Sequence, residues 1–197
     1  FQIQFALADL SLLLGLWIVA SWSSKSGLLL IASSSFGLLS MSSAALNPLA
    51  FVALHLLQRR ERKGFWSTMA VLVPLHLLLA LTRPSQGGFV QSLDWTEKLR
   101  LFLEVCGWPT GSALVGLGFL ALAAYFFVRG WQRRAEISHG ESVLLVLCLY
   151  SLVLIVLFAL RRSELKPRHL DSISMFLFSL GGLFALRFAS ERLALSV

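Results

Sequence analysis

The stretch RRSELKPRHL (Arg161–Leu170) places Arg161, Arg162, Lys166 and Arg168 beside His169, with Glu164 as its only acid. A guanidinium is a planar fork that matches two phosphate oxygens at once, so this composition reads as a phosphate site. Strongly apolar segments flank it on both sides, and the phosphate expected here is therefore that of a lipid, carried as a monophosphate or a diphosphate. General attraction to anionic headgroups is the alternative reading of the same charges.

Other groups with chemical potential are scattered. His55 and His76 fall inside apolar segments, which raises a bis-histidine haem. Axial ligands must share a depth. His55 sits near the end of its segment, whereas His76 is about twelve residues into the next, some 18 Å at the helical rise. His55 is read as an interfacial residue, and His76, two residues after Pro74, as taking a backbone carbonyl at a kink. In TGSALVGLG (Thr110–Gly118), Ser112 is a candidate nucleophile with His169 as base. The rhomboid proteases, however, carry Gly-x-Ser-Gly, and Ser112 is followed by Ala113. The small residues read instead as a close helix contact. Cys106 with Arg161 and His169 resembles an exosortase-type transpeptidase in its Cys-Gly pair and departs from it in the spacing to the arginine. Cys148 lies within an apolar run and reads as a core residue. Asp9 is an acid inside the first apolar run, where a charge is costly and often functional, unless it reaches the interface. No CxxC or Cys/His metal spacing occurs, so no cofactor is indicated, a metal ion included. These groups do not make a complete active site.

The elements that position them follow from composition. Of 197 residues, 57% are hydrophobic and only 14% charged, with a mean hydropathy of +0.78. Long apolar runs account for these values and define the fold class as all-α, a polytopic transmembrane helix bundle. The alternating segments of about ten residues that mark a β-barrel are not seen. The net charge of +7 belongs to loops that fix orientation and hold headgroups, and does not imply nucleic acid as a partner. The chain begins at Phe1, close to an apolar run that no charged n-region precedes. It is read as a processed product or part of something longer rather than as starting with a signal peptide.

A membrane helix needs roughly twenty apolar residues, and the runs at about 4–22, 65–83, 110–129, 141–160 and 170–189 qualify. The region 27–58 is long for one span and short for two. Its Ser-rich centre and Asn47-Pro48 favour a break near Ser43–Pro48, because proline disfavours helical geometry in the residue before it. Six or seven spans result, seven if the region divides. Residues 1–197 are read as a single transmembrane domain, with a polar segment at 84–109. Within that segment Asp94 and Glu97 have the form of a helix start, and Trp95, Leu99, Phe102 and Cys106 recur at helical spacing. One interfacial amphipathic helix is expected there, with Trp95 and Trp108 at headgroup depth.

Orientation follows from positive charge. RRERK (Arg59–Lys63) should be cytoplasmic. The next span leads to 84–109 outside, and the following one returns to RGWQRR (Arg129–Arg134), again basic and cytoplasmic. The span at 141–160 then carries RRSELKPRHL outside, against the rule. Either the spans are miscounted, or these cations are held outside because they bind something.

Four features in fixed order resemble the C-terminal membrane half of the GT-C glycosyltransferases, which use polyprenyl-phosphate sugar donors. They are the paired short helices with a basic turn in SKSGLLLIASSSFGLLSMSSAALNPLAFVALHLLQRRERK, a span leading to an external interfacial helix, a span with the basic exit FFVRGWQRR, and a span ending in KPRHL before a last long helix. His169 stands where tyrosine is commoner, and the proline usual a few residues later is absent from DSISMF. The resemblance implies a lipid-linked sugar donor, with Arg168 and His169 as phosphate contacts and Arg161, Arg162 and Lys166 in support. It also implies a catalytic acid in a first external loop, to which no residue of this sequence corresponds. The competing expectation is a non-catalytic integral subunit of a membrane complex, with headgroups or partner chains as ligands. A bacterial inner (cytoplasmic) membrane is the expected location.

Overall fold

The computed structural model describes residues 2–23, 25–40, 44, 46–58, 61–82, 94–161 and 170–195. Among them the chain is entirely helical. The helices are α1 (Gln2–Ala20), α2 (Ser26–Ser40), α3 (Asn47–Gln58), α4 (Phe65–Thr82), α5 (Trp95–Cys106), α6 (Ala113–Gln132), α7 (His139–Arg161) and α8 (Leu170–Leu195). They form two compact units, Phe1–Gly87 and Gly88–Val197.

In the first unit α1 packs on α2 and α3, and α4 on α2 and α3. The region 27–58 divides into α2 and α3, and α3 opens with Asn47-Pro48, where the missing proline N–H costs no helical hydrogen bond. Close packing is set by glycine. A Cβ at Gly15 would overlap the Phe51 ring, and one at Gly37 would overlap the Ser11 hydroxyl. The turn into α4 uses Gly64 at φ 80°, a conformation that strains any residue with a Cβ. Trp22 Nε1 donates to the Lys63 carbonyl at 3.1 Å, tying the end of α1 to that turn.

In the second unit α5 begins at Asp94, whose carboxylate accepts from the Trp95 N–H at 2.7 Å and from the Thr96 hydroxyl at 2.9 Å. Its apolar stripe runs from outside to core: Trp95 and Leu99 are 71% and 59% exposed, Phe102 is half-buried and Cys106 is fully buried. A tight turn through Gly107 and Gly111 reverses the chain into α6. There the Leu103 carbonyl lies so close to Gly116 that no side chain fits between them. The small residues of 110–118 thus serve a close helix contact at Gly116, while Gly118 faces open space. Helices α7 and α8 form an antiparallel hairpin, in which Leu144 meets Gly182 and the chain turns between Arg161 and Leu170.

Among the described residues three helical stretches, Ala113–Gln132, His139–Leu157 and Ser172–Ala189, are long and apolar enough to cross a membrane. That is fewer than the six or seven expected from the apolar runs. Length is the reason: α2 and α3 have 15 and 12 residues, so at about 1.5 Å per residue each falls short of a hydrocarbon core of about 30 Å. The apolar parts of α1 and α4 among the described residues are likewise short, Ala6–Ala20 and Phe65–Leu78.

Candidate functional site

In chain order the basic stretch falls between α7 and α8. Helix α7 is capped by Ser138, whose hydroxyl accepts from the Glu141 N–H at 3.1 Å. Along its length, apolar side chains bury against α8, where Ile173, Phe176, Leu180 and Leu183 recur at helical spacing. Ser151 donates to its own helix at Leu147 O and Cys148 O (2.7 and 3.0 Å), and Ser179 donates to Met175 O at 2.6 Å, so neither hydroxyl needs an outside partner. Arg161 is the last residue of α7 and α8 starts at Leu170. Arg162, Lys166, Arg168 and His169 fall in the connection and lie outside the described residues, as does the side chain of Arg161.

The scattered groups resolve into separate roles. His55 stacks on Phe65 (ring centroids 4.0 Å, 12°) and meets Trp66 edge-on at 5.3 Å. Its Nδ1 accepts from Arg62 Nη1 at 3.1 Å, and Arg62 also donates to Gln58 Oε1. Arg62 is 7% exposed: a residue of the basic loop is folded into the first unit rather than left in solvent. His76 takes the Ser34 hydroxyl (Nε2···Oγ 3.0 Å) rather than the expected backbone carbonyl, and its buried Nδ1 has no partner among the described residues. The Asn47 amide donates to Ser11 Oγ at 3.2 Å. One buried polar side chain from each of the four helices thus takes part in two pairs, α1 with α3 and α2 with α4. Hydropathy reading missed this set, because Ser34 stands between Ser33 and Ser35 and composition does not mark which serine is buried.

The two histidines have different partners on different helices, and no group of three or more His, Cys, Asp or Glu able to hold a metal occurs among the described residues. Asp9 is half-buried on α1. Ser112 is the N-cap of α6 and makes no side-chain capping bond. The Cys106 thiol is pushed up to about 12, first by burial and then by the neighbouring Cys148, so it is a protonated core group at neutral pH. Asp94 and Glu97 are exposed, and Glu104 pairs with Arg100 at 2.7 Å on the surface of α5.

No family model, curated protein or solved structure matches the chain.

Proposed function

We propose that this is an integral membrane protein that holds the phosphate of a lipid-linked sugar at the α7–α8 turn, as a membrane glycosyltransferase or the C-terminal part of one. The observation that carries this reading is α7 itself. It is one unbroken helix of 23 residues, with Arg129, Arg133 and Arg134 just before its start and the RRSELKPRHL cations at its end. At about 1.5 Å per residue it is roughly 34 Å long, against a hydrocarbon core of about 30 Å. The two basic clusters then belong to opposite membrane faces, and the positive-inside rule can place only one of them. With RGWQRR cytoplasmic, Arg161, Arg162, Lys166, Arg168 and His169 are held outside. In this reading α1, the α2–α3 pair and α4 are also embedded in the membrane, which gives six or seven spans, and α5 lies in the outer interface.

Arg168 and His169 contact the phosphate, with Arg161, Arg162 and Lys166 in support. Arginine there would offset charge gathering on the phosphate leaving group. Sugar transfer further requires a carboxylate base on the acceptor hydroxyl, a role assigned to no residue of this sequence. The alternative is an integral subunit that binds headgroups or partner chains without catalysis. Of the acids in the second unit, Asp94, Glu97 and Glu104 belong to α5 and Glu136 and Glu141 stand near the start of α7, while Asp171 is the second residue of α8.

The test is retention of a polyprenyl-phosphate sugar by the full chain in nanodiscs, followed by native mass spectrometry. Wild type should retain the donor over phosphatidylglycerol, and Arg168→Gln/His169→Gln should lose that preference by tenfold or more. Equal retention by both proteins would sink the proposal. Transfer of labelled sugar to an acceptor separates the enzyme from the subunit.

A further inference from the structure

A second lipid-facing feature stands at the other end of α7 and belongs to α6. One face of α6 is exposed along its whole length through Leu114, Leu117, Ala121, Ala124 and Val128, all apolar. That stripe ends in two aromatic side chains, Tyr125 and Trp131, which are 52% and 44% exposed. Each positions a guanidinium: Arg129 Nη1 donates to the Tyr125 hydroxyl at 2.8 Å, and the Arg134 guanidinium sits 4.6 Å from the Trp131 ring centroid. Arg133, the C-cap of the helix, is exposed beside them. None of the three arginines meets a carboxylate among the described residues, although Glu136 and Glu141 are close in sequence.

This combination has a physical meaning. Tyr and Trp are amphipathic rings that settle at headgroup level, with apolar surface on one side and water on the other. A guanidinium held against such a ring keeps most of its five donors and loses little rotamer freedom on meeting phosphate. A helix C-terminus would by itself favour cations, so part of the cluster serves the dipole. The dipole requires neither three arginines nor aromatic partners for two of them.

We propose that the C-terminal turn of α6 is a binding site for an anionic phospholipid, with the phosphodiester on Arg129, Arg133 and Arg134 and an acyl chain along the exposed apolar face of the helix. The site rests on the membrane placement of the second unit and is independent of sugar transfer and of the α7–α8 turn.

The experiment places the full chain in phosphatidylcholine vesicles containing either brominated phosphatidylglycerol or brominated phosphatidylcholine. The Trp131 contribution to tryptophan quenching is taken as the difference from Trp131→Phe. Brominated phosphatidylglycerol should quench Trp131 severalfold more strongly at equal mole fraction. Each arginine-to-glutamine change at 129, 133 or 134 should lower that preference, by roughly fivefold at low salt. Molar salt applied to the wild-type protein should shrink it without any mutation. Equal quenching by the two lipids in wild type, or a preference that survives both the triple variant and high salt, would overturn the proposal.

Discussion

The contact between α5 and α6 can be tested with two glycines on one helix. Gly116→Ala and Gly118→Ala make the same chemical change two residues apart, and each gains about 1 kcal/mol of helix propensity. At Gly118 the new methyl group meets nothing within 4 Å, so the gain is kept. At Gly116 it would overlap the Leu103 carbonyl oxygen, lying 2.8 Å from the carbonyl carbon and 3.0 Å from the Gly107 nitrogen. These are backbone atoms, joined to each other by the Gly107 N–H to Leu103 O hydrogen bond at 2.9 Å, and no rotamer change relieves them. The helices must separate, at an overpacking cost of about 1–3 kcal/mol. The propensity gain is common to both, so the two variants should differ by about 1–3 kcal/mol, and their melting temperatures by roughly 2–12 °C at some 2–4 °C per kcal/mol for a chain of 197 residues. Heating the full chain in detergent with a thiol-reactive dye reads this directly, because Cys106 lies beside the seam and both thiols are buried. Equal melting temperatures, or a more stable Gly116→Ala, would refute the argument that backbone contact at Gly116 sets the packing.

Three further outcomes are expected. Ser34→Ala should destabilise the first unit by about 1–3 kcal/mol, since it leaves both ring nitrogens of buried His76 without a partner among the described residues; adding His76→Leu should recover part of the loss in the same thermal assay. The native fold keeps Cys106 protonated up to about 12 against an ordinary 9.0, so its contribution is whole below pH 9 and drains between pH 9 and 12, at no more than about 1.4 kcal/mol per pH unit. Alkaline unfolding should show this slope, and Cys106→Ala should flatten it. Asp94→Ala removes the acceptor for the first N–H of α5 and should cost about 1 kcal/mol; hydrogen exchange at Trp95 and Thr96 should rise while α7 is unchanged.

Much of the architecture was legible because apolar helices announce themselves as long apolar runs. The runs at 4–22, 65–83, 110–129, 141–160 and 170–189 correspond to α1, α4, α6, α7 and α8, and Asn47-Pro48 marks the start of α3. Periodicity also located α5 and its acidic start. Hydropathy carries no record of which helix faces which. Ser34 and His76 are 42 residues apart, and nothing in either segment names the other as its partner. Arg62 read as a topological charge, yet His55 and Gln58, seven and four residues before it, provide a place for its guanidinium. The stripe on α5 was correct as a pattern and incomplete as a placement, because its buried half depends on Gly116 of a different helix. The candidate phosphate residues rest on composition and resemblance, and apart from the backbone of Arg161 they lie outside the described residues.

The charges at the two ends of α7 bear on how the chain enters its membrane. In the proposed orientation, four cationic side chains with Glu164 and Asp171 must pass to the outside as the α7–α8 hairpin inserts. Moving two net positive charges out against an inside-negative potential costs roughly 5 kcal/mol at 100 mV, at about 2.3 kcal/mol per charge. Insertion of this hairpin is then opposed by the cell's own voltage, whereas most hairpins with basic cytoplasmic ends are aided by it. Dissipating the potential should speed its insertion, so biogenesis of the second unit would be tuned to the energetic state of the membrane.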